Sequence, residues 1–169
     1  VGWRVFGAEL WHRPDGPWLC PVRFEDVGAR HVSLDAARHA RARELAAIGT
    51  SCPDHFLRTK IWPLFLPFDP AKEKADAVLG RLDALLEGYR QRYEAYYERC
   101  KRPTSPAMRD PYPVIVLVPG VGLLSFARDK ATARIASEFY VNAINVMRGA
   151  ESVSAYVPIA EQEAFDIEY

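Results

Sequence analysis

Apolar residues recur along this chain with two different periods, and the switches between them mark its elements. Residues 114–118 form an unbroken apolar run rich in β-branched side chains, the pattern of a strand covered on both faces. Pro119-Gly120-Val121-Gly122 interrupts the run and residues 123–126 resume it, which predicts a tight strand-turn-strand. Asp129 can cap a following helix that extends to about Arg148, with Gly149 at a left-handed end. Ile135, Ala136, Phe139, Ala143, Ile144 and Met147 share one side of it, so the helix should lie on the sheet with Phe139 against the 114–118 strand.

Two aromatic, β-prone runs at residues 3–12 and 18–24 flank Arg13-Pro14-Asp15-Gly16-Pro17 and predict a hairpin whose second strand Pro21 pushes toward an edge. Ser33 can cap a helix over residues 34–48, with Leu34, Ala37, Leu45 and Ile48 on one face and Gly49 closing it. Arg38, His39, Arg41 and Arg43 make that helix basic, as a phosphate clamp or as a solvated face. Residues 49–70 carry Pro53, Pro63, Pro67 and Pro70 and lack helical periodicity, which predicts an extended crossing with a short strand near 64–66. Asp69-Pro70 reads as the start of the longest helix, which reaches about Cys100 with Ala75, Val78, Leu79, Leu82, Leu85, Leu86, Tyr89, Tyr93, Tyr96 and Tyr97 along its stripe. Its tyrosines suit a stacking platform or, more simply, an amphipathic face. Residues 101–113 read as a proline-rich loop. Residues 151–169 read as a turn and a short acidic helix leading outward as a linker.

The expected fold class is α/β, a small mixed sheet covered by helices. With 169 residues, 49% of them hydrophobic, the chain can bury the core of one ordinary domain. Residues 1–49 are expected to form a hairpin plus helix as a connecting segment, and residues 50–169 the α/β domain with its linker. Twenty-two basic residues balance 22 acidic ones, so bulk charge points to neither nucleic acid nor an anionic membrane. No apolar run approaches the roughly 18 residues of a membrane helix. Cys20, Cys52 and Cys100 are too few and too scattered for a disulfide framework, and a reducing cytoplasm is the expected location. A start at Val1 and a stop at Asp166-Ile167-Glu168-Tyr169 suggest a piece of a longer polypeptide.

Chemistry concentrates in one segment. Asp54, His55, Arg58 and Lys60 place an acid, an imidazole and two cations within seven positions, a set able to hold a phosphate or sugar hydroxyls through charge-assisted bonds. The same residues would equally stitch a loop to its own domain. Cys52-x-x-His55 has the spacing of half a metal site without a second half. His12, His31, His39 and His55 lie in different elements, with no nucleophile motif beside them. Gly120-Val121-Gly122 is not a dinucleotide loop, because Ser125 occupies the third glycine position and a strand follows.

Residues 50–60, Pro63-Leu64, Leu66-Pro67, Asp110-Pro111-Tyr112, residues 123–143, Met147-Arg148-Gly149-Ala150-Glu151 and residues 163–169 together resemble the middle region of bifunctional rhamnulose-1-phosphate aldolase/alcohol dehydrogenases. In that family a class II aldolase portion precedes a short-chain dehydrogenase. The resemblance covers about residues 45–169. It implies a parent that uses zinc to cleave the ketose phosphate to dihydroxyacetone phosphate and lactaldehyde, and an NAD(P)-dependent portion that acts on the lactaldehyde. It also implies a sugar-phosphate substrate, adjoining aldolase and dehydrogenase portions as partners, and a homo-oligomer. The His-x-His zinc pair and the glycine-rich nucleotide loop are not in this chain. Val121 stands where the aldolase turn would carry a zinc-binding histidine. The expected unit is therefore an aldolase-like half-copy without zinc or catalytic residues of its own. Asp54, His55, Arg58 and Lys60 either complete a lyase site or belong to a structural spacer.

Overall fold

A computed structural model describes residues 18–21, 41–69, 72–119 and 122–169. In chain order the elements are β1 (Trp18–Pro21), α1 (Ala42–Ile48), α2 (Pro53–Thr59), β2 (Leu64–Phe65), α3 (Ala75–Cys100), β3 (Ile115–Val118), β4 (Gly122–Ala127), α4 (Lys130–Val153) and α5 (Glu161–Glu168). The strands lie in the order β1-β4-β3-β2. β2 runs parallel to β3, and the other pairs are antiparallel, so the sheet is mixed, as the sequence predicts. Val118 pairs with Gly122, which makes β3 and β4 a tight hairpin. Among the described strands β1 lies at one end of the order, with Pro21 paired with Leu124. Its predicted hairpin partner at 3–12, the helix positions before Arg41 and the Gly120-Val121 turn lie outside the described residues.

The unbroken apolar run of β3 follows from its place between two helical layers. Ile115 and Leu117 join Leu123, Tyr140, Ala143 and Ile144 on the face covered by α4 and by Ala46 of α1. Val116 and Val118 join Trp62, Tyr93, Tyr96 and Phe165 on the face covered by α3 and α5. All four β3 residues are at most 6% exposed. Each such side chain contributes about 1.5–3 kcal/mol by burial, so the hairpin is anchored from both sides.

Several expectations need correction. Asp129 caps α4 as predicted, accepting from the Thr132 amide at 2.8 Å, but the helix does not stop at Gly149. It runs on to Val153, because Gly149 faces open space and Glu151 ties the next turn down, accepting from the Tyr156 amide at 2.7 Å and pairing with Arg41. Phe139 is only half-buried and faces α2, while Tyr140 takes the sheet-facing position. Ile48 of α1 is 41% exposed, and Ala42 and Ala46 are the residues that pack. The 49–70 crossing contains a helix, α2, started by Pro53 at a position where the missing N–H is not needed. Asp69 closes only a turn, its carbonyl accepting from Lys72 and Glu73, and α3 begins at Ala75. Finally, α5 does not lead outward: Ala164, Phe165 and Glu168 are buried against α3.

Candidate functional site

The helical turn of α2 divides the four candidate residues. Asp54 and Arg58 stand four positions apart on its exposed side, whereas His55 and Thr59 point inward. His55 is 1% exposed, with its ring edge-on to Phe139 at 5.8 Å between centroids. Neither ring nitrogen has a hydrogen-bond partner among the described residues. Burial lowers the imidazole pKa, and the nearby Asp54 charge opposes that shift only in part, so His55 is neutral at pH 7.

Lys60 takes a different course. It is the one non-glycine residue with positive φ among those described, at +61°, a conformation that costs on the order of 1–3 kcal/mol. The turn carries its side chain inward to 9% exposure. There Nζ donates to the carbonyls of Asp110 and, at 2.7 Å, Tyr112, and lies 4.4 Å from the Tyr93 ring centroid. Burial holds its pKa down at about 8, against the pull of the Asp110 and Glu168 charges.

On the far side of Tyr93 lies Glu168, 1% exposed. The Tyr93 hydroxyl donates to its Oε1 and the Tyr96 hydroxyl to its Oε2 at 3.2 Å. The Arg109 amide donates to the Tyr169 hydroxyl at 3.1 Å, and the Tyr169 and Tyr93 oxygens are 2.8 Å apart. Because the single Tyr93 proton goes to the carboxylate, Tyr93 can only accept from its other neighbour, so Tyr169 donates to Tyr93 and Tyr93 to Glu168. Burial raises the Glu168 pKa, while the two phenols, Lys60 and Arg109 pull it back.

Thus the four predicted residues do not converge on one anion pocket: Lys60 and His55 are turned into the domain, and only Asp54 and Arg58 remain outside. Tyr93, Tyr96, Glu168 and Tyr169 form the polar centre, which sequence reasoning did not assemble. One signal was available, since Glu168 falls on the same face of a short helix as Ala164 and Phe165. Between α1 and α4 there is also a cavity of about 390 Å³, lined mostly by apolar side chains such as Leu45, Leu117, Ile144 and Met147, with Tyr140, Arg148, Glu151 and Ser152 as its polar groups. Among the described residues, no three His, Cys, Asp or Glu side chains come together to hold a metal, so this donor set does not fit zinc. No helix among them is long and apolar enough to cross a membrane.

A mixed sheet between two helical layers defines an α/β domain. Residues 24–169 match the family described as "Aldolase class II, second domain", and the chain belongs to that family. Over 136 residues it is 27% identical to a Bacillus subtilis (strain 168) protein named "Uncharacterized oxidoreductase YuxG", a match covering 80% of this chain and 20% of that protein. The chain thus spans about a fifth of the length of that relative.

Proposed function

We propose that this chain is a structural docking domain of a bifunctional sugar-catabolic enzyme, one that cleaves rhamnulose 1-phosphate or rhamnulose to a dihydroxyacetone unit and lactaldehyde. Zinc and NAD(P) belong to the adjoining aldolase and dehydrogenase portions. The class II aldolase family supports the lyase half of this reading. The oxidoreductase name of the much longer relative supports the dehydrogenase half. One observation carries the docking role: the imidazole of His55 and the ammonium of Lys60 are buried inside the domain.

A second reading, in which the segment completes a substrate site, has in its favour that Asp54 and Arg58 share the exposed face of α2. Arg58→Ala in the intact enzyme separates the two. Docking predicts retro-aldol kcat/KM within about twofold of wild type, with any defect confined to assembly, whereas a substrate contact predicts a loss of about a hundredfold with folding intact.

A further inference from the structure

The cavity between α1 and α4 has a buried apolar body and an exposed polar end. Ala42, Ala46, Leu117, Ile144 and Met147 wall it, each at most 7% exposed, while Arg148 and Ser152 stand at the surface. Its volume of about 390 Å³ falls among those of small-molecule sites, which run from about 300 to 1,000 Å³ and are mostly apolar with a few placed polar groups.

Two of its polar side chains lack partners. Tyr140 lines the cavity at 1% exposure, and its hydroxyl makes no hydrogen bond among the described residues. The hydroxyls of the other buried tyrosines, Tyr89, Tyr93, Tyr96, Tyr97 and Tyr156, are all bonded. A buried phenol left alone is costly, so a polar atom placed inside the cavity is held there. Arg148 likewise makes no ion pair or hydrogen bond among the described residues. Glu151, by contrast, is taken by Arg41 and the Tyr156 amide, and Ser152 donates to the Gly149 carbonyl. The mouth therefore offers a cation and no free carboxylate.

Tyr140, Ile144, Met147 and Glu151 form one stripe of α4, with Arg148 beside it at the outer end. From Tyr140 to Arg148 the helix rises about 12 Å, a span that suits a chain of about eight carbons. We infer that this cavity binds an elongated monocarboxylate with an apolar body, its carboxylate on Arg148 and a hydroxyl or carbonyl at its inner end on Tyr140. Arg148 supplies charge-assisted bonds at the mouth, and Tyr140 selects for the polar inner end. The site is independent of the 52–60 segment and of the docking role.

Calorimetric titration of the intact chain with octanoate, 8-hydroxyoctanoate and octylammonium tests it, with amide NMR shifts locating any binding. Both carboxylates should saturate in the millimolar range and shift residues 42–46 and 140–152, the hydroxylated one binding about fivefold tighter. Octylammonium should not saturate. Arg148→Ala, at an exposed position, should fold normally and weaken both carboxylates by about tenfold. Tyr140→Phe should erase the preference for the hydroxylated probe and leave octanoate within about twofold. The absence of saturable binding to wild type, as when another part of the polypeptide fills the cavity, would overturn the proposal. So would octylammonium binding as tightly as octanoate, or undiminished carboxylate binding by Arg148→Ala, an arm that stands whether or not Tyr140→Phe folds.

Discussion

His55 and Lys60 stand five residues apart with 1% and 9% exposure, yet the domain accommodates them in opposite ways. His55 sits between α2 and α4 with no hydrogen-bond partner for either nitrogen among the described residues, and burial keeps it neutral. Lys60 sits between α2, α3 and α5 with two carbonyls, an aromatic face and a distant carboxylate around it. A group that can shed its charge is tolerated in an apolar contact, whereas one that holds its charge must be surrounded by acceptors. In both cases the chemistry is spent inside the domain.

The largest effect should come from stripping partners from the second region. Tyr93→Phe leaves the buried Glu168 carboxylate short of a donor and should cost about 2–3 kcal/mol, read as a lower urea midpoint at unchanged slope. A loss under about 0.5 kcal/mol would mean that the hydroxyl network carries little. Next, Phe139→Ala removes a half-buried ring that touches His55 rather than the sheet, so its cost should be about 1–2 kcal/mol, below the 3–5 kcal/mol or so of a fully buried aromatic.

His55→Phe should change stability by less than about 1 kcal/mol at pH 7, because no hydrogen bond among the described residues is lost and an edge-on ring contact is kept. Its signature is in the pH profile. The folded pKa of His55 is lowered, so the unfolded chain binds the proton better and wild-type stability falls as pH drops below about 6.5. The variant should lack that part of the fall, measured by thermal unfolding between about pH 7 and pH 5. The smallest effect belongs to Arg58→Ala, which should stay within about 0.5 kcal/mol because the side chain is exposed.

Much of the fold was legible because local pattern and tertiary role agreed. The apolar run of β3, the Asp129 cap and the α3 stripe each follow from positions a few residues apart, although Leu79 of that stripe is 63% exposed. What pattern missed was set by distant contacts. Gly149 reads as a helix end until Glu151 is seen to engage Arg41 and Tyr156, and α5 reads as a linker until Phe165 is placed against Tyr96 and Tyr97. Which side chains of the candidate segment turn inward depended on a helix, α2, that its prolines concealed. Glu168 and Tyr93, 75 positions apart, meet only in the folded chain.

The central claim is that the polar residues of the 52–60 segment serve this domain's own interior rather than an anionic substrate. Phosphate titration followed through the backbone amides of residues 54–60 tests it most directly, with wild type and Arg58→Ala side by side. The account predicts no saturable shift in millimolar phosphate and identical behaviour of the two proteins. A saturable shift centred on Arg58 and Lys60, abolished in the variant, would contradict it.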